Sequence, residues 1–303
     1  MNEIERATDL LRRVKLDDVA EEMRLVAKEE ILSRFGCLDD SAVRMKTGPA
    51  DLVTIADEKA EERLSKVLPL LLPDSAVLGE EAVSRDLRTL DILKSDKPVW
   101  IVDPLDGTWR FRHGQPGFTM LVALAYRGRP LMGFVLNPDI HRRSDVTAQK
   151  VFMAVKGQGA FTDTFGQGRI RTPRVRVSEN DLHVVWVTRA KGDKTGRPLE
   201  ELPQAIGQIR SSRAIGIDFL NMALGQGVHA VAYNKCFITP WDFAAPHILL
   251  LESGCAWLQK EPQIYRAAKN ESLRYVSAAD EPTARMVWSR LYPKASVPTN
   301  CAR

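Results

Sequence analysis

Apolar and polar positions alternate along this chain in two different rhythms. In the first half, Val19, Met23, Val26, Ala27 and Ile31 recur at helical spacing. With Asp17 or Asp18 as cap and Gly36 as stop, they predict a core-facing helix to about Phe35. Leu52-Val53 reads as a strand end. Thr54 with Asp57 three residues on has the form of a capping box. It opens an amphipathic helix through Ala60, Leu64, Val67, Leu68 and Leu71, closed by Pro73-Asp74. Ala76–Gly79 is a short strand running into Glu80 and Glu81, and Ser84–Lys97 reads as a charged linker. Pro98–Val102 is a buried strand. Phe118–Tyr126 and Pro130–Leu136 form a hairpin pattern across Arg127-Gly128-Arg129. Lys150–Val155 is a further strand, which Gly157-Gln158-Gly159 interrupts before Ala160-Phe161 resumes. Arg169, Arg171, Arg174 and Arg176 alternate in part, as on the solvated face of a strand or at an anion patch or dimer rim.

The rhythm changes near Asn137–Asp145, where Pro, His and Arg interrupt the apolar runs. Beyond it, strand-like and helix-like segments alternate. His183–Thr188 is extended, Pro198–Gly207 helical, Gln208–Ser212 extended and Asp218–Leu224 helical. Val228–Tyr233 is a strand and Trp241–Ser253 a helix, which Gly254 caps. Tyr275–Ser277 and Glu281–Leu291 supply a last strand and helix. The pattern predicts an α+β domain over residues 1–150 and an α/β domain over residues 151–303.

Composition narrows the function only slightly. Of 303 residues, 44% are hydrophobic and 27% charged, an ordinary globular balance. The formal charge of +4 is too mild to argue for nucleic acid. Cys37, Cys236, Cys255 and Cys301 are scattered with no C-x-x-C pair, which fits a reducing cytoplasm and no zinc cluster. Met1-Asn2-Glu3-Ile4-Glu5-Arg6 is charged with no apolar run behind it, so no secretory leader and no membrane span are expected.

Chemistry concentrates in Trp100-Ile-Val-Asp-Pro-Leu-Asp-Gly-Thr108. Asp103 and Asp106 lie three residues apart, and Pro104 restricts the turn between them. Gly107 permits tight geometry and lets its amide and that of Thr108 face an anion. Two carboxylates so placed repel each other unless a cation stands between them, and hard divalent cations prefer oxygen ligands. Further acids stand at Asp57, at Glu80, and at Asp242 in Pro240-Trp241-Asp242, all at strand ends or helix starts. Such stations converge readily on a crevice. Taken singly, each also has a structural explanation: Asp57 suits a helix N-terminus, and Glu-Glu pairs are common on solvated surfaces.

The order D-x-x-T-x-x-D, G-E-E, D-P-x-D-G-T and W-D before a small-residue helix resembles the inositol monophosphatase family. That family groups with the fructose-1,6-bisphosphatases and bisphosphate nucleotidases among the Mg²⁺-dependent, often lithium-sensitive phosphomonoesterases. The resemblance runs from about Lys46 to Leu291. It implies a layered αβαβα sandwich with the site between two domains. It also implies two Mg²⁺ ions, with a third and weaker one near Glu80. Glu80, Asp103 and the Leu105 carbonyl would bind the first ion, and Asp103, Asp106 and Asp242 the second. Thr108 and Asp57 would orient and deprotonate the attacking water, and Gly107 and Thr108 amides would hold the phosphate. The expected partners are a small phosphorylated metabolite and a second copy of the chain.

Departures from the family pattern fall on the alcohol side. After the central turn comes Trp109-Arg110-Phe111-Arg112-His113. The segment expected to hold an inositol ring matches only at Gly216, Asn221 and Met222, and Arg210-Ser-Ser-Arg213 precedes it. Lys235 stands where inositol-specific members place an acid. The reading is therefore hydrolysis of inositol monophosphate or a similar sugar or polyol phosphate. The alternatives are a 3′-phosphoadenosine nucleotide or fructose-1,6-bisphosphate as substrate. An alternative of another class is an inactive member that binds RNA or protein.

Overall fold

The computed structural model describes residues 2–37, 43–48, 51–141, 144–145, 148–164, 168–171, 183–188, 207–210, 212–235, 239–259, 273–292, 296–298 and 301–302. Helix α1 (Glu3–Arg13) precedes the first helix that the periodicity predicts. Asn2 and Glu5 form its capping box, and Leu10 is buried. The predicted helix is α2 (Leu16–Val26), entered at Lys15 without a side-chain cap, so neither Asp17 nor Asp18 serves as one. It continues as a π-helix over Ala27–Leu32, where the Ser33 amide reaches back five residues to the Lys28 carbonyl.

A hairpin of β1 (Val43–Gly48) and β2 (Asp51–Thr54) leads into α3 (Ile55–Leu71). A seven-stranded sheet follows in chain order: β3 (Ala76–Gly79), β4 (Pro98–Asp106), β5 (Thr119–Tyr126), β6 (Arg129–Asn137), β7 (Lys150–Val155), β8 (Gly159–Thr164) and β9 (Gly168–Arg171). Only β3–β4 is parallel; each later neighbour is antiparallel. Glu80 stands directly after β3 and begins α4 (Glu80–Arg85), a helix that the sequence reading does not include. The expected linker Ser84–Lys97 contains a 3₁₀ helix over Leu87–Lys94. A short α5 (Thr108–Arg112) follows β4 directly.

The second sheet is six-stranded, in the order β11-β10-β12-β14-β13-β15. Its strands are β10 (His183–Thr188), β11 (Gly207–Arg210), β12 (Ala230–Lys235), β13 (Ala256–Gln259), β14 (Leu273–Ala278) and β15 (Cys301–Ala302). Between them run α6 (Ile215–Leu224) and α7 (Pro240–Glu252), and α8 (Glu281–Leu291) follows β14. The predicted helix at Pro198–Gly207 lies almost wholly outside the described residues, as do Arg174 and Arg176.

Strand alternation sorts the cores. Along β4, Trp100 and Val102 point into one core with α1, α2 and α3, while Val99 and Ile101 point into the next, with α6 and α7. The far side of that second core is Val231, Trp257 and Tyr275 of the second sheet. The opposite face of that sheet, Ala230, Ala232 and Val276 among others, packs on Val287, Trp288 and Leu291 of α8. The layers are therefore helix, sheet, helix, sheet, helix, which is the expected sandwich. Each fully buried large apolar side chain contributes about 1.5–3 kcal/mol. A Cβ added at Gly133 would stand 2.4 Å from Ile248 and 2.6 Å from the Ala245 carbonyl, so β6 lets α7 sit directly on the sheet. Glu252, the last residue of α7, accepts from the Gly157 and Gly159 amides at 2.8 Å each and ties that helix to the β7–β8 turn. Arg24 of α2 ties to β8 through a buried ion pair with Asp163 at 2.5 Å. Among the described residues no helix is long and apolar enough to cross a membrane.

The first sheet passes residue 150 and runs on to Arg171. We propose two domains, one built on each sheet, with β8 and β9 carried by the first.

Candidate active site

Every residue of β4 is buried, and the strand carries its two aspartates at its C-terminal end. Pairing with β5 is regular to Asp103↔Leu121 and resumes at Asp106↔Thr119. The irregularity between them is the Pro104-Leu105 turn. Asp103 Oδ1 accepts from the Leu105 amide at 3.0 Å, which fixes its carboxylate against the turn. Gly107 then takes φ +93°. A Cβ there would lie 2.8 Å from that of Ala214, so both backbone conformation and space demand glycine.

Thr108, the first residue of α5, meets Asp57 from 51 residues away: Thr108 Oγ1 stands 3.0 Å from Asp57 Oδ1 and 3.0 Å from the Leu105 carbonyl. Asp57 Oδ2 closes the capping box of α3, accepting from the Thr54 amide at 2.8 Å and the Thr54 hydroxyl at 2.5 Å. The cap and the link to Thr108 use different oxygens, so the structural and the functional explanations of Asp57 coexist. Burial, with added repulsion from Glu80, pushes its carboxyl up to about 7.

Asp106 faces the second half of the chain. Its Oδ1 accepts from the Ile215 amide at 3.0 Å, and its Oδ2 from the Gly216 amide at 2.7 Å and the Thr119 hydroxyl at 2.8 Å. The start of α6 thus grips the second aspartate of the turn. Burial raises this carboxyl as well, and repulsion from Asp242 adds to it. Asp242 lies in the first turn of α7, so four chain segments bring Asp57, Glu80, Asp106 and Asp242 within electrostatic reach in pairs.

Sequence reasoning missed several residues here. Glu61 is buried on α3, one turn beyond Asp57, and accepts from the Glu81 amide at 2.7 Å and the Ala82 amide at 2.8 Å. It therefore holds the first turn of α4, where Glu80 sits. The i, i+4 spacing from Asp57 was the available signal. Thr119 and the Ile215 amide became visible only through sheet register and the crossing of two segments. Close approach demands glycine at Gly216: a Cβ there would meet Thr119 Oγ1 at 2.3 Å and Asp106 Oδ2 at 2.9 Å. Lys235 ends β12, paired with Leu273; its side chain lies outside what the structure describes.

The donor set is all oxygen, held in mutually repelling pairs, which suits a hard divalent cation. Among the described residues no group of three or more His, Cys, Asp or Glu side chains already stands arranged around a single metal position. The acids are thus gathered by twos, and the ligand assignments expected from the sequence carry forward as a proposal.

A model of the inositol monophosphatase family matches residues 13–291. Inositol monophosphatase 2 of Solanum lycopersicum is 30% identical over 244 residues, 78% of this chain and 84% of that protein. The fructose-1,6-bisphosphatase/inositol-1-monophosphatase of Thermotoga maritima is 28% identical over 226 residues, 74% of this chain and 77% of that protein. The solved structure of an IMPase from Thermotoga maritima superposes with a TM-score of 0.68 at 24% identity, covering 92% of this chain and 98% of that one. With the acid-bearing turn, the capped Asp57 and the layered sandwich in place, the chain belongs to the inositol monophosphatase family, whose members are metal-dependent phosphoric monoester hydrolases.

Proposed function

We propose that the protein is a Mg²⁺-dependent phosphomonoesterase acting on an inositol monophosphate or a similar sugar or polyol phosphate. The observation that carries this reading is the 3.0 Å contact between Thr108 and Asp57 at the end of the acid-bearing turn. A hydroxyl that donates to a buried carboxylate keeps a lone pair for a water. The water can pass a proton to Thr108 Oγ1 as Thr108 passes its own to Asp57, which gives general-base assistance without a covalent intermediate. In this reading Glu80, Asp103 and the Leu105 carbonyl hold one cation. Asp103, Asp106 and Asp242 hold a second, and a weaker third lies near Glu80. Such ions neutralise phosphate charge and acidify water. The Gly107 and Thr108 amides face the phosphate oxygens, where preorganised donors help most as charge develops. Asp242, Gly216 and Lys235 border the alcohol. A homodimer in the cytoplasm completes the proposal.

A bisphosphate substrate is the second reading, supported by the Thermotoga maritima relative named for both activities. The complete set of acids that the family pattern calls for, Asp57, Glu80, Asp103, Asp106 and Asp242, speaks against an inactive binding module. The test is phosphate release from inositol 1-phosphate, fructose 1,6-bisphosphate and a 3′-phosphoadenosine nucleotide, with Mg²⁺ and with a chelator. Turnover should require the metal, and Asp103→Asn should abolish it. Near-normal activity of Asp103→Asn at millimolar Mg²⁺ overturns the cation assignment.

A further inference from the structure

Arg213 has the backbone of a glycine. Its φ is +66°, in the left-handed region that long side chains enter only at a cost. Its neighbours keep it there. The Ser212 amide donates to both carboxylate oxygens of buried Asp218, at 3.1 and 3.3 Å. The Ser212 carbonyl accepts from Arg110 Nη1 at 2.9 Å, and the Ser212 hydroxyl donates to the Ala214 carbonyl at 2.7 Å. A braced segment that holds a strained residue fixes where its side chain is displayed.

That side chain lies over an aromatic ring. The guanidinium carbon of Arg213 stands 4.0 Å from the centre of the Trp109 ring, which also stacks on His113 at 4.1 Å. Trp109 follows Thr108 in the chain, and Arg213 stands two residues before Ile215, whose amide grips Asp106. The exposed cation therefore sits at the rim, joining the two arms of the site. A guanidinium carbon at this distance is in cation–π range, and a planar guanidinium fork can bind a carboxylate or phosphate by two parallel hydrogen bonds. The acids around the turn are suited to cations and cannot themselves attract a second anion.

We propose that Arg213, displayed on Trp109, is a specificity-determining residue that binds a second anionic group of the substrate, a carboxylate or a phosphate remote from the scissile one. This rests on the phosphomonoesterase reading above. The substrate class it selects is a phosphomonoester with a second negative group a few bonds from the ester oxygen.

A matched pair of probes tests it. 2-Phosphoglycerate and glycerol 2-phosphate share a skeleton and differ by a carboxylate in place of a hydroxymethyl group. The ratio of their kcat/KM values should fall at least tenfold in Arg213→Gln, through the KM for 2-phosphoglycerate. Arg213→Lys, which keeps the charge and loses the planar fork, should fall between. A merely structural role would lower kcat on both probes and leave the ratio alone. Calorimetric titration of both compounds into wild type and Arg213→Gln reads the same ratio without turnover. If wild type with Mg²⁺ hydrolyses neither compound and none of the substrates in the panel above, the phosphomonoesterase reading fails while Arg213 is judged on binding. A ratio that changes less than twofold, or no binding of 2-phosphoglycerate by wild type, overturns the assignment.

Discussion

Gly216 shows how a residue without a side chain can govern the position of a buried acid. Its hydrogen atom leaves room for the Thr119 hydroxyl and for Asp106 to come within 2.7 Å of its amide. Gly216→Ala should push Asp106 away by a large fraction of an ångström. Misplacement on that scale costs roughly 10²-fold in rate, and titration of activity with Mg²⁺ should show a raised requirement. Asp57→Asn and Thr108→Ala should lower kcat much more than they raise KM, because the proposed function has both acting on the nucleophile and not on bound substrate. A change confined to KM would reduce Asp57 to a helix cap. Arg213 supplies a stability test that needs no substrate. Arg213→Gly and Arg213→Gln both lose the stack on Trp109, but only glycine takes φ +66° without strain. The glycine variant should be more stable by about 1 kcal/mol, read by thermal melting of the two variants side by side.

Among the elements, α4 depends on a side chain from another helix. Glu61 receives two amides from its first turn, with one oxygen for each. Glu61→Gln turns one acceptor into a donor facing a donor, which costs about 1–3 kcal/mol. Denaturant melts should show that loss, and half-maximal activity should need more Mg²⁺ because Glu80 loses its support. Sequence and structure agree where the signal is local. Thr54 and Asp57 form the predicted capping box, and α8 keeps the predicted bounds Glu281–Leu291. The hairpin across Arg127-Gly128 is found where alternation placed it, with both turn residues at positive φ. Local signals were also overlooked: the Asn2–Glu5 capping box of α1 was open to inspection. Other elements had no local signal. β13 and β15 are too short to show alternation and exist through pairing with strands distant in sequence. The π-turn of Ala27–Leu32 looks, in sequence, like the rest of its helix.

At the scale of the whole molecule, the acids of the turn were legible because each stands in a compact motif, whereas the grip of α6 on Asp106 belongs to the crossing of the two halves. The layer between the sheets also contains a pH-sensitive group. His247 of α7 has a buried Nδ1 with no hydrogen-bond partner among the described residues, and burial lowers its pKa to about 4. The native state keeps it neutral, while the unfolded chain takes up a proton near the ordinary value of 6.5. At His247 the unfolded state therefore binds more protons as pH falls from 6.5 to about 4, and this group's contribution to stability falls across that window by up to roughly 3 kcal/mol. Denaturant unfolding at pH 7 and pH 4.5 should show a smaller acid loss in His247→Asn than in wild type; equal losses would clear His247. The nine buried residues of β4 have another consequence, for tolerance to change. The turn that carries Asp103 and Asp106 is continuous with a strand that is buried along its whole length, so nearly every substitution there disturbs folding as well as chemistry. His113 and Arg213 are exposed and Trp109 is only half-buried, on segments that end outside the sheet. A combinatorial library at those three positions should yield mostly folded protein with altered substrate preference, whereas one spanning Asp103 to Thr108 should yield mostly unfolded or inactive chains. Selectivity in this molecule can drift while its hydrolytic apparatus stays fixed.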